Sequence, residues 1–188
     1  MNEKIDNYIK FHLSNDRYTH SLNVAKIAGI YADIYKLDKD MVIAIALFHD
    51  ACKEMEKVEQ LTYIKDNNLD KNLLQEYNKP LRHGAIASDI AIKNFSFTKE
   101  MAHAIYFHTT GCVNMSTLDK IIFLADKTEI NRKYPDIDKL RKLSLQNLDK
   151  AMIMALEQII SKNKNYVNSL SIDALRDIKR RCNCGSIS

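Results

Sequence analysis

Glycine and proline are scarce in this chain, with four of the first and two of the second among 188 residues. All-β and doubly wound folds need frequent turns that lean on those two residues, so their scarcity excludes such folds and leaves an all-α chain. Long apolar runs are missing too. The longest lies near Met41 to Phe48, far short of the ~20 residues that span a bilayer, so no membrane segment is expected. No secretory leader pattern occurs at the N-terminus, and the four cysteines, Cys52, Cys112, Cys182 and Cys184, contain no C-x-x-C pair. Reduced thiols in a cytoplasmic protein are expected, with Cys182-Asn183-Cys184 either unpaired tail residues or an opportunistic metal or oxidation site. The net charge is +4, but Lys and Arg are scattered among acids. That pattern lacks the footprint of a duplex-binding surface, so no nucleic-acid partner is expected and a small anionic ligand stays open. A Gly-rich phosphate loop is also lacking, which excludes P-loop chemistry.

What the sequence does contain is helical periodicity. Hydrophobic residues make up 46% of the chain and recur at three- and four-residue spacing, without an alternating stretch or a fixed-period repeat. The spacing predicts a short helix from about Asn2 to His12, after which Ser14-Asn15-Asp16 caps a long helix from Arg17 to about Lys36. Asp38 to Asp40 open the next helix, which carries Met41 to Cys52. Further helices are expected over about Lys57 to Asn67, Lys71 to Asn78, Leu81 to Asn94, Thr98 to Thr109 and Ser116 to Glu129. After a loop from Asn131 to Pro135 come one or two helices over Ile137 to about Ser161, then a last one over Ile172 to Arg181. With no linker or low-complexity stretch, the chain is expected to form one domain with its own core.

Four places break the pattern on faces that should be buried. At a helical pitch His20 shares a face with Val24, Ile27 and Tyr31, with Arg17 one turn before it. His49 and Asp50 follow the wholly apolar Val42 to Phe48. His83 lines up with Ile86 and Ile90, and Asp126 ends Ile121-Ile122-Phe123-Leu124-Ala125. A desolvated carboxylate is costly unless a cation or several donors compensate, so Asp126 needs a partner. Imidazole and carboxylate are the usual ligands of a borderline divalent metal, and converging helices can gather them from distant positions. His20, His49, Asp50 and Asp126 would form one such cluster.

Taken singly, each residue has a structural alternative: a hydrogen-bonded core histidine, or an aspartate in an ion pair or a cap. Arg17 and Lys53 likewise read equally well as a surface ion pair and a solvated charge. His12, at a polar helix end, and His103, facing away from His108, read as structural or surface residues. His108 differs. It heads His108-Thr109-Thr110-Gly111, where a helix ends in hydroxyls and a glycine, a place suited to contacting a ligand.

The order Arg17-x-x-His20, His49-Asp50, His83, His108, Asp126 resembles the HD superfamily of metal-dependent phosphohydrolases, over about residues 17 to 132. Within it, His49-Asp50-x-x-Lys53, His83-Gly84, His108-Thr109-Thr110-Gly111 and Ala125-Asp126 followed by Glu129-x-x-Arg132 are most similar to the YqeK family, symmetrical diadenosine tetraphosphate hydrolases. The resemblance implies a compact multi-helix HD-domain fold, with the helices of about 136 to 182 packed on the motif core. It implies His20, His49, Asp50 and Asp126 as ligands of iron. His83 and His108 would hold a second metal or face the phosphates, acting in catalysis with Asp50 and Lys53. Arg17, Lys53, Thr109, Thr110 and Arg132 would surround the nucleotide, with His20, His83 and Asp126 also lining its site. The substrate would be a dinucleoside polyphosphate and the product ADP; a homodimer is compatible with it. Lys127 and Ile130 depart from the family pattern, where an apolar residue and a proline are common, so the loop after Asp126 is open to a different shape.

The residue types suit this chemistry independently of the resemblance. Arg17 can engage phosphate oxygens in two places and Lys53 as a point charge, offsetting charge on a transferred phosphoryl group. Two alternatives stay open: another HD-type nucleotidase or alarmone or cyclic-nucleotide phosphodiesterase, and a non-enzymatic nucleotide-binding domain. Beyond Tyr134, the spacing of Leu140, Leu143, Leu148, Met152, Ala155 and Ile159 reads as core, and Ser171 to Arg176 could close over a base.

Overall fold

The computed structural model describes residues 2–162 and 168–184, which form ten α-helices with no strand among them. They are α1 (Asn2–His12), α2 (Asn15–Tyr35), α3 (Lys39–Phe48), α4 (Lys57–Asp66), α5 (Lys79–Phe95), α6 (Lys99–Phe107), α7 (Thr117–Thr128), α8 (Ile137–Gln146), α9 (Leu148–Lys162) and α10 (Ser169–Cys184). The expected all-α class is what forms. No helix of the described residues is long and apolar enough to cross a membrane.

Local chemistry starts these helices where the sequence places polar residues. Ser14 accepts from the Arg17 amide, Asp38 from Met41 and Thr98 from Met101, and Ser116 forms a reciprocal capping box with Asp119. Each satisfies an amide that the first turn leaves without a partner. The apolar faces then assemble around α3, which packs against α1, α2, α6 and α7. Ile45, Phe48, Ile122 and Phe123 are wholly buried, and each such side chain removed from water contributes about 1.5–3 kcal/mol. The C-terminal helices lie on this core: α8 and α9 pack on α7, α8 also reaches α2, and α10 packs on α9.

Two boundaries depart from expectation, each for a local reason. The helix expected to run through Cys52 stops at Phe48, and residues beyond it close tight turns in which Ala51 N donates to Phe48 O and Lys53 N to Asp50 O. His49 and Asp50 thus stand at a helix end rather than within a helix. Residues 71–78 form two 3₁₀ turns instead of a helix. The buried Arg82 takes their carbonyls, with Nε donating to Leu73 O at 2.8 Å and Nη2 to Leu74 O and Gln75 O, so these cannot serve a helical ladder. Ile137 to Ser161, expected as one or two helices, is two, meeting at the extended Asn147.

Candidate metal centre

α2, the end of α3, α5, the end of α6 and α7 converge on one cluster of polar side chains inside the apolar core. His49, Asp50, His83, His108, Asp126 and Glu129 are all buried, and the His20 side chain is only 10% exposed. Asp50 lies at the centre. Its Oδ2 is 3.7 Å from His20 Nε2, 3.6 Å from His49 Nε2 and 3.0 Å from Arg17 Nη1. Its Oδ1 is 3.2 Å from His83 Nε2 and 3.3 Å from His108 Nε2. The two oxygens of one carboxylate therefore face two different pairs of imidazoles.

Local structure aims these rings. His49 and His108 follow the last turns of α3 and α6, where carbonyls lack helical partners. Each donates Nδ1–H to such a carbonyl, His49 to Ala46 O and His108 to Ile105 O, both at 2.6 Å. That leaves Nε2 of each as a bare acceptor facing inward. Bringing His83 beside His108 requires α5 and α6 to approach closely. A Cβ at Gly84 would lie 2.9 Å from the Ile105 and Tyr106 carbonyl oxygens, so only glycine fits there. With that contact, His83 Nε2 and His108 Nε2 stand 3.2 Å apart. Two acceptors that close repel unless donors or a cation intervene. The Lys53 ammonium, 3.2 Å from His83 Nε2, and the Thr109 hydroxyl, donating to His108 Nε2 at 3.1 Å, are those donors here.

Burial sets the protonation states. It pushes the His49 imidazole down to about 3 and, against the pull of Asp50, the His83 imidazole down to about 4, so both are neutral ligand-type nitrogens at neutral pH. For Asp50, burial raises the carboxyl, but the surrounding imidazoles outweigh it and hold the group well below the usual carboxylate range. In Asp126 burial is likewise overcome, by Lys127 first, with Arg132 adding. Burial lowers the Lys53 ammonium, with the Asp50 charge opposing.

The residues present fit a divalent ion. Among the described residues, His20 Nε2, His49 Nε2 and Asp50 Oδ1 are buried without a hydrogen-bond partner. An orphaned acceptor costs about 1–3 kcal/mol, and a cation beside each would remove that cost. Two overlapping sets could hold one: His20, His49 and Asp50, or Asp50, His83 and His108, each with ligand atoms within 4.8 Å of one another.

The other expected site residues fall into three groups. Arg17, Lys53 and Thr109 join the cluster through the contacts above. Asp126 reaches it only through His20, whose Nε2 is 3.2 Å from Oδ1, because Lys127 Nζ holds Oδ2 at 2.6 Å and Arg132 Nη2 holds Oδ1. Arg132 Nε also donates to the Asp126 carbonyl at 2.8 Å, so Arg132 packs against the site from the loop after α7. Thr110 stands apart: its hydroxyl donates to the Gly111 carbonyl, and its own carbonyl accepts from Ser171. Ser171 is thereby a buried link between α10 and this turn rather than a closing flap.

Sequence reasoning left two members of the cluster without a role. Lys127 stood out only as a departure from a family pattern, and Glu129 only as part of Glu129-x-x-Arg132. The signal for Glu129 is its place three residues after Asp126, on the same side of the end of α7. Its Oε1 is 3.4 Å from His20 Nδ1. His103 and His12 lie outside the cluster, pairing with Asp119 and the Tyr8 carbonyl. The Cys184 side chain lies outside the described residues.

The HD domain family model matches residues 17–131, the span that contains this cluster apart from Arg132. A symmetrical bis(5'-nucleosyl)-tetraphosphatase of Halalkalibacterium halodurans is 35% identical over 158 residues, covering 81% of this chain and 82% of the relative. Its counterpart from Bacillus subtilis is 30% identical over 150 residues, covering 79% and 80%. A crystal structure from Clostridium acetobutylicum, of a protein described as a predicted HD superfamily hydrolase involved in NAD metabolism, matches with a TM-score of 0.87 at 28% identity, over 96% of this chain and 98% of that one. With that motif order, buried His and Asp set and near full-length relatives, the chain belongs to the HD domain family, in its YqeK branch of metal-dependent phosphohydrolases.

Proposed function

We propose that this chain is a single HD-type domain that cleaves diadenosine tetraphosphate at its centre into two ADP, using water activated by iron held by His20, His49, Asp50 and Asp126. The observation that carries the reading is the buried cluster of His20, His49 and Asp50, with ligand atoms within 4.8 Å of one another and both imidazole Nε2 atoms unpaired, beneath half-buried cations. The relatives named as symmetrical tetraphosphatases support the choice of substrate. A donor set of imidazole and carboxylate without thiolate suits iron(II).

A bound divalent ion supplies a water of lowered pKa and polarises a phosphoryl oxygen. The chain's own residues do the rest. Arg17, Lys53, Lys127 and Arg132 face the three carboxylates Asp50, Asp126 and Glu129, and their side chains are 21–37% exposed. They are thus partly desolvated and reachable by a polyphosphate, where their charge counts for more than in open water. Arg17 and Lys53 bind phosphate oxygens beside Asp50, Thr109 offers its hydroxyl next to His108, and Thr110 shapes the turn that carries them. Arg132 turning from Asp126 to a phosphate would free that carboxylate to complete the ligand set. As the new O–P bond forms at one inner phosphorus, the bridging P–O bond to the other inner phosphate breaks. The leaving ADP departs as an anion, stabilised by these cations, and His83 and His108 stand where a proton can be passed. The same reading includes a cytoplasmic setting, in keeping with the buried, unbridged Cys52 and Cys112, and a homodimer, which light scattering reads directly.

Incubating iron-loaded protein with diadenosine tetraphosphate and separating the products by ion exchange tests this. ADP alone is expected, and AMP plus ATP, or no turnover, would overturn it.

A further inference from the structure

We propose that Glu129 is a positioning residue: it accepts the Nδ1–H of His20 and so turns the bare Nε2 of that ring toward Asp50 and His49. The inference deepens the metal-centre reading and rests on it.

Each imidazole of the centre needs an acceptor for Nδ1–H if Nε2 is to stay free as a ligand. His49 and His108 find one locally, because each sits at a helix end with an unused carbonyl three residues back. His20 cannot. It lies inside α2, five residues after its first residue, where the preceding carbonyls belong to the helical ladder. Its acceptor must come from another element, and Glu129 at the end of α7 provides Oε1 at 3.4 Å from Nδ1.

The carboxylate is built to stay there. Glu129 is 3% exposed, and its Oε2 accepts from Asn131 N at 2.7 Å. Its backbone carbonyl accepts from Arg141 Nη2 at 2.8 Å, and Arg132 Nε stands 3.8 Å from Oε1. The helices on either side are tied as well, since Tyr31 of α2 and Thr128 of α7 share a buried hydrogen bond of 2.8 Å. So confined, Glu129 cannot follow a phosphate; what it can do is hold a ring. The opposite tautomer would place a bare Nδ1 against the Glu129 oxygen, lone pair against lone pair. It would point the proton at Asp126 Oδ1, 3.2 Å from Nε2 and already held by Arg132, whereas in the Nδ1–H form that bare Nε2 and Oδ1 leave a place for a cation between them.

The test uses metal-free protein first. Long-range proton–nitrogen NMR of the imidazoles is expected to show His20 protonated on Nδ1 in the wild type. Glu129→Gln, which keeps an acceptor oxygen, should preserve that state, whereas Glu129→Ala should shift His20 toward the Nε2–H form. Titration with manganese(II) should then show affinity reduced about 10- to 100-fold in Glu129→Ala and largely recovered in Glu129→Gln. An Nε2–H tautomer in the wild type would overturn the proposal without any variant having to fold. So would a folded Glu129→Ala protein with unchanged tautomer and manganese affinity. Wild-type protein that binds no divalent ion, with His20 on its Nδ1–H form, would instead overturn the metal-centre reading.

Discussion

His49 and His108 end two different helices in the same way, and their rings meet edge to face with centroids 4.9 Å apart. Each gives its Nδ1–H to the carbonyl three residues back, at 2.6 Å. The free carbonyls of a final helical turn thus serve as tautomer locks, and both Nε2 atoms come to face the carboxylate of Asp50, at 3.6 and 3.3 Å. Helix ends are otherwise places where polar backbone must be satisfied by water; here the requirement is met by the residues that also form the site.

Asp50 is common to both sets of potential ligands. Asp50→Ala should therefore abolish metal binding altogether, measured by elemental analysis of purified protein, and hydrolysis with it. His83→Ala should keep one tightly bound ion per chain, since His20, His49 and Asp50 remain. Retention of a full metal complement by Asp50→Ala would contradict the central position given to this carboxylate.

Arg17 joins Asp50 at 3.0 Å with its side chain 31% exposed, which leaves the guanidinium open to a phosphate. Arg17→Ala is expected to lower kcat/KM by about 10²-fold, the scale for losing one preorganised charge donor. Arg17→Lys should recover only part of that, because an ammonium cannot hold two oxygens in a planar fork. Equal activities of the lysine variant and the wild type in steady-state assays would argue against a two-point contact.

At Gly84 a methyl group would meet two backbone carbonyl oxygens at 2.9 Å, and neither can move without shifting α6. Gly84→Ala should lower stability by about 1–3 kcal/mol, the usual cost of overpacking. Activity should fall further than stability explains, because the shift separates His83 from His108. Thermal unfolding together with activity at a temperature where the variant is fully folded would distinguish the two effects.

The buried imidazoles make the metal-free protein sensitive to acid in a definite window. His49 and His83 have folded-state values of about 3 and about 4, below the ordinary value of 6.5, so the unfolded chain binds the extra protons. Their contribution is complete above pH 6.5 and is lost progressively as the pH falls below it. Asp50 and Asp126, held below the usual carboxylate range, add their loss only at lower pH. Urea unfolding midpoints should thus decline between pH 7 and pH 5, and a flat profile there would show that these rings are not buried as neutral groups.

The sequence by itself determined the helical class and the residues around which the site forms. Scarce Gly and Pro, the three- and four-residue periodicity and polar caps such as Ser14, Asp38 and Ser116 are local signals, and helices are local structures. His49, Asp50 and Asp126 stood out because they close apolar runs, where a desolvated polar group needs a partner, although each taken singly also suited a core hydrogen bond, an ion pair or a cap. Their motif order, shared with a known family, turned that oddity into a site. Only the tertiary structure decided which atoms meet. Arg82 draws residues 71–78 into 3₁₀ turns by taking their carbonyls. Lys127 and Arg132 cover the oxygens of Asp126. Glu129 reaches His20 across 109 positions of sequence. Periodicity records which side of a helix a residue occupies; the distance between two such sides is set only when the core packs.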